Sequence, residues 1–209
     1  MDPFFSNWLL LIAVFSVAVI SPGPDFVMAV RNSVKYSRKA GIFTAIGFGI
    51  GVGFHVTYCL AGLAIIISQS VIVFNILKWI GAAYLFYVGI KALRSNGFEA
   101  SEAGEESAAD MTAMEALRSG IITNLFNPKA TLFFLALFTQ ILSPDITVGA
   151  KIIYGLTCVA MTMIWFSIVA TVLTTPRIRA VFLKASKWVD RACGGVFVAL
   201  GLKLAATKL

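Results

Sequence analysis

Charge is what this chain has least of: only 13% of its 209 residues are Asp, Glu, Lys or Arg, where a soluble domain carries about a quarter. With 59% of the residues hydrophobic, water is not its main solvent. Histidine occurs once, as His55, and cysteine three times, as Cys59, Cys158 and Cys193, each within an apolar run. An odd number of widely spaced cysteines argues against a disulfide framework and a Cys-ligated metal. Packing is their expected role. The apolar runs show no convergent set of metal ligands, no nucleophile with a positioned base and no paired acids, so no metal, no cofactor and no enzyme activity are expected. The net charge of +7 does not indicate nucleic acid, because the basic residues lie between the apolar runs rather than on one face among stacking aromatics.

Long, low-charge stretches are what the chain has in abundance, at 4–30, 40–67, 71–93, 116–142, 148–173 and 189–206. Each is close to or above the roughly 20 residues that cross a hydrocarbon core of about 30 Å. They are continuous rather than alternating, which excludes barrel strands. The expected fold is therefore an all-α membrane protein of six transmembrane helices, with the lipid bilayer as its solvent. The first run has no basic leader before it and continues into prolines rather than a cleavage site, so it is expected to persist as a span.

Orientation follows from Lys and Arg, which concentrate in cytoplasmic connections. Arg31, Lys35, Arg38 and Lys39 lie between the first two runs. Lys91, Arg94 and Arg118 flank the third connection, and Arg177, Arg179, Lys184, Lys187 and Arg191 occupy or flank the fifth. Against these twelve, the other side has Lys78, Lys151, Lys203 and Lys208. Both termini are then expected outside.

Residues 95–115 form the longest polar stretch and carry Glu99, Glu102, Glu105, Glu106, Asp110 and Glu115. Like charge and low hydrophobicity predict a solvated cytoplasmic linker. It divides the chain into repeat 1 (1–94) and repeat 2 (116–209) within one transmembrane domain. Gly81-Ala-Ala-Tyr-Leu-Phe-Tyr-Val-Gly89-Ile-Lys91 matches Cys193-Gly-Gly-Val-Phe-Val-Ala-Leu-Gly201-Leu-Lys203. The first helix of each half is interrupted, by Ser21-Pro22-Gly23-Pro24-Asp25 in one and by Asn127-Pro128-Lys129 in the other. Three spans per half make the repeats inverted, and inverted repeats with broken helices are a transporter pattern whose breaks mark the substrate site.

Pro22, Pro24 and Pro128 remove backbone donors, and Gly23 relaxes the chain between two of them. Backbone groups freed at membrane depth must meet protein or a water-lined cavity, so both breaks should face the bundle interior. Asp25 and Lys129 each follow the proline of their break. Their opposite charges suit a zwitterion, Asp25 taking an α-ammonium and Lys129 a carboxylate. A direct Asp25–Lys129 ion pair is the alternative, and the sequence leaves both open. Asn124 and Asn127 can bind substrate beside Lys129 or cap the broken helix. His55 follows Gly47, Gly49, Gly51 and Gly53; it can relay protons with Asp25 or donate one interhelical hydrogen bond. The glycines fit close helix packing.

Five segments in order carry a likeness: Ser21-Pro-Gly-Pro-Asp-Phe26, the glycine-rich second run, Leu77-Lys-Trp-Ile-Gly-Ala-Ala-Tyr-Leu85, Thr123-Asn-Leu-Phe-Asn-Pro-Lys-Ala130, and Lys187-Trp-Val-Asp-Arg191 with Gly194. Together they resemble the LysE/RhtB superfamily of amino-acid exporters, particularly its homoserine/threonine efflux branch. The resemblance implies a bacterial inner-membrane secondary transporter that exports a small amino acid or derivative (threonine, homoserine, homoserine lactone or leucine type) by proton antiport. It is compatible with a homodimer. Asp25 is the one acid deep within the runs, which favours a neutral substrate over a basic one. Efflux of a cation, a metal or another small metabolite by the same fold is the alternative function.

Overall fold

A computed structural model describes residues 3–97, 111–141 and 146–206, and among these the chain forms helices and no strand. In order they are α1 (Pro3–Ile20), α2 (Pro24–Lys35), α3 (Arg38–Gln69), α4 (Val71–Leu93), α5 (Ala113–Leu125), α6 (Pro128–Ile141), α7 (Val148–Val172) and α8 (Pro176–Ala206). α3, α4 and α7 are each long and apolar enough to cross a membrane, and the bent pairs α1–α2 and α5–α6 qualify as single broken spans. The protein is an all-α membrane protein.

The stretch 189–206, expected as a sixth span, is the second half of the 31-residue α8, which is not among the helices long and apolar enough to cross. Its first half corrects the sequence reading, in which Arg177 to Lys187 belonged to a connection. Pro176 is well suited to a helix start, where its missing N–H is no loss and its φ is already helical. No Gly or Pro follows until Gly194. The resulting helix is two-sided: Ser186 and Asp190 are buried while Arg177, Lys184 and Trp188 are exposed.

The two breaks are alike in geometry. α1 meets α2 at 56° and α5 meets α6 at 57°. Prolines cause both bends, since each removes a main-chain donor and its ring crowds the preceding turn. α5 starts slightly before the expected 116 because Thr112 and Glu115 form a reciprocal capping box at its first turn. Of the acidic linker, Glu99, Glu102, Glu105, Glu106 and Asp110 lie outside the described residues.

Small residues bring the two halves together. A Cβ placed on Gly89 of α4 would meet the Gly194 carbonyl oxygen of α8 at 2.9 Å, and one on Gly201 would meet the Ala82 carbonyl oxygen at 3.0 Å. The alignment of the halves pairs Ala82 with Gly194 and Gly89 with Gly201, so these two contacts exchange under it. α4 and α8 run antiparallel at this crossing. The α3 glycines use separate faces for separate neighbours. Gly47 and Gly51 abut α5, whereas Gly49 abuts Met163 of α7. Their close approach is an internal contact between the halves.

Gly120 on α5 is the tightest of these positions, because a Cβ there would lie 2.2 Å from the Thr44 carbonyl oxygen of α3. Backbone cannot move aside as a side chain can, so Gly120→Ala should lower stability by about 1–3 kcal/mol or more. Gly53→Ala, whose new methyl would meet only Val159 at 3.9 Å, should be neutral. Thermal unfolding of the two purified variants in detergent compares them directly. Equal stability would show that α3 and α5 do not pack this closely.

Candidate functional site

The breaks face one another across an interior cavity. Its polar lining comes from both: Ser21, Gly23 and Asp25 from the first, Asn124, Asn127 and Lys129 from the second. This is where the sequence placed the site. Pro22, Pro24 and Pro128 act by shaping the backbone, and the last two are themselves exposed.

Lys129 spends two of its three ammonium protons on main chain of the other half. Nζ donates to the Ser21 carbonyl at 2.7 Å and to the Pro22 carbonyl at 3.3 Å. These carbonyls lie where the helix stops, and a cation from the facing half satisfies them. The methylenes of Lys129 cross Gly23, where an added Cβ would come within 3.3 Å of the side chain. Above the ammonium, 5.9 Å away, lies the ring of Phe197.

Asp25 opens α2. Its Oδ2 accepts a hydrogen bond from Asn124 Nδ2 at 2.7 Å, while Oδ1 is buried and has no partner. Asn124 Oδ1 is likewise buried without a donor. The direct Asp25–Lys129 ion pair, one of the two readings open from sequence, is not formed; each group bonds elsewhere. Two acceptors around Asp25 thus stay without a donor, and the partly committed ammonium of Lys129 reaches across to the same break.

The two asparagines divide their work. Asn127 caps α6, its Oδ1 accepting from the Lys129 main-chain N–H at 2.9 Å. Asn124 reaches Asp25, and its backbone carbonyl needs a partner because the residue four positions on is Pro128, which has no N–H. His55 supplies one, with Nε2 at 3.0 Å from the Asn124 oxygen; the Asn127 N–H adds another at 3.1 Å. A carbonyl only accepts, so His55 carries its proton on Nε2, and in the neutral ring Nδ1 accepts from the Tyr58 hydroxyl. Gly51, with no side chain, leaves room for Asn124 between α3 and α5.

The sequence profile of LysE type translocators matches residues 16–208 of the chain. The chain belongs to this family. It is 29% identical to the threonine efflux protein of Escherichia coli K12 over 204 residues, covering 96% of this chain and 98% of that protein. Identity to the threonine efflux protein of Salmonella typhi is 30% over 200 residues, covering 92% of this chain and 94% of that protein. It is 28% identical to the homoserine/homoserine lactone efflux protein of Salmonella typhimurium over 214 residues, covering 98% of each. No solved structure matches the chain. LysE type translocators are transporters, not enzymes.

Several residues of this translocator's interior were not singled out from sequence. Asp190 is buried on α8 and accepts a hydrogen bond from Ser95 Oγ at 2.5 Å, so Asp25 is not the only acid inside the bundle. It stands second in the run 189–206, among basic residues, and the sequence reading gave it no role. Tyr58 was hidden in the apolar run beside His55; its spacing of three residues, one helical turn, was the available signal. Cys59, Cys158 and Cys193 are all free and buried. Among the described residues, no three of His, Cys, Asp and Glu come together as metal ligands.

Proposed function

We propose that this translocator exports small neutral α-amino acids or close derivatives from the cytoplasm in exchange for protons. It does so as a six-span protein of the bacterial inner membrane, built from two inverted halves, with both termini outside. One observation carries the reading: Asp25 Oδ1 and Asn124 Oδ1 are buried acceptors without donors. Such atoms cost stability unless a ligand completes them. An α-ammonium has three N–H donors and a charge opposite to Asp25. The remaining Lys129 proton, with the first turn of α2, which has no side-chain cap, receives the carboxylate or a neutral carbonyl in its place. The relatives named for threonine, homoserine and homoserine lactone efflux agree with this class.

Proton exchange follows from the same carboxylate. Asp25 holds either an ammonium or a proton, so protonation from outside discharges substrate, and deprotonation inside readies the site. Both nitrogens of His55 are engaged, and we assign it the holding of Asn124 in place rather than the carrying of protons.

Purified protein in vesicles loaded with a labelled amino-acid panel tests the function. Neutral amino acids should leave faster when the outside is made acidic. Efflux indifferent to the gradient would remove proton exchange, and release of metal cations alone would replace the substrate class. For orientation, a cysteine at Ser101, in a background lacking the native three, should resist an impermeant thiol reagent on intact cells. Labelling from outside would invert the topology.

A further inference from the structure

Apart from the groups at the breaks, the lining of the cavity is mostly apolar. Every charged or amide group in the lining belongs to a break. The same lining holds Phe15, Phe133 and Phe134, mutually packed with ring centroids 5.4–6.0 Å apart. Val52 and Phe166 add to this apolar lining. Thr162 is its one hydroxyl, and that hydroxyl already donates to the Cys158 carbonyl at 2.9 Å. On this wall nothing is left to donate a hydrogen bond.

We propose that the transported molecule is an α-amino acid with an apolar side chain, seated against Phe15, Phe133 and Phe134 while its ammonium lies at Asp25. This rests on the amino-acid reading above and narrows it away from the hydroxylated substrates for which the relatives are named. A hydroxyl placed on this wall gives up its water and finds at most the Thr162 oxygen to donate to. An apolar side chain gives up nothing polar and gains contact with three rings. The discrimination has a ceiling, since an apolar pocket rejects an isostere carrying one added hydroxyl by only about 100-fold.

Valine and threonine have nearly the same shape, so together they isolate the hydroxyl. The full-length protein in vesicles should be loaded with labelled valine or threonine, and initial efflux measured over a range of internal concentrations. Valine should be favoured about 10- to 100-fold in kcat/KM, with leucine and methionine on its side and homoserine on that of threonine. Threonine equal to or better than valine overturns the apolar assignment while leaving amino-acid export intact. No efflux of any α-amino acid from vesicles holding folded protein removes the amino-acid reading itself, and this assignment with it.

Discussion

Asp25→Asn should all but abolish export while leaving folded protein in the membrane. Asparagine keeps an oxygen for the Asn124 amide now 2.7 Å from the carboxylate, so the local structure survives. It loses the charge that holds the ammonium. Removing one partner of a buried, hydrogen-bonded charge pair costs about 2–5 kcal/mol, which corresponds to roughly 30-fold to a few thousand-fold in binding. Folded stability should change little, because without substrate Asp25 holds a proton, and the neutral amide has nearly its shape and keeps the contact with Asn124. Vesicle efflux and thermal unfolding, measured on the same preparation, separate the two effects. A stable variant that still exports at more than a tenth of the normal rate would show that Asp25 is not the ammonium site.

Lys129→Met should fail in both respects. The Ser21 and Pro22 carbonyls lose the ammonium that satisfies them, and an unmet buried acceptor costs about 1–3 kcal/mol. Transport falls as well, since the carboxylate end of the substrate loses its cation. The Asp25→Asn, Lys129→Met double variant distinguishes this arrangement from an ion pair. Partners in a buried ion pair rescue each other when both are neutralised. Here each bonds a different group, so the stability lost with Lys129 should stay largely lost in the double variant. Restoration of stability in the double variant would place Asp25 and Lys129 in direct contact in the resting protein.

The breaks were legible because their causes are local. Pro22, Pro24 and Pro128 each delete a donor from an otherwise unbroken apolar run, and no distant residue can restore it. The fourth helix was legible for a similar reason: hydrocarbon thickness sets a minimum apolar length, and Val71–Leu93 was bounded as α4 residue for residue. What fills the freed positions was not legible. The reach of Lys129 to Ser21 crosses 108 residues and that of His55 to Asn124 crosses 69. Both depend on how the halves dock, which local pattern does not encode. The aromatic wall was equally hidden, because Phe15, Phe133 and Phe134 read as ordinary membrane residues until α1 and α6 are brought together. Asp190 escaped because the basic residues around it look like a connection, whereas Pro176 begins a helix that carries it inward.

If Asp25 receives the α-ammonium of the exported molecule, N-acylation should abolish recognition. Acylation removes the charge and all but one donor from the nitrogen while leaving the side chain and carboxylate in place. Labelled valine would be held in vesicles containing the protein, with unlabelled competitors added alongside it at equal concentration. Free amino acids and their methyl esters should slow its release, the esters because Lys129 and the first turn of α2 can still bind a neutral carbonyl, while N-acetyl derivatives should leave the rate unchanged. Competition by N-acetylvaline as strong as that by free valine would contradict the account, whatever else the protein is found to export.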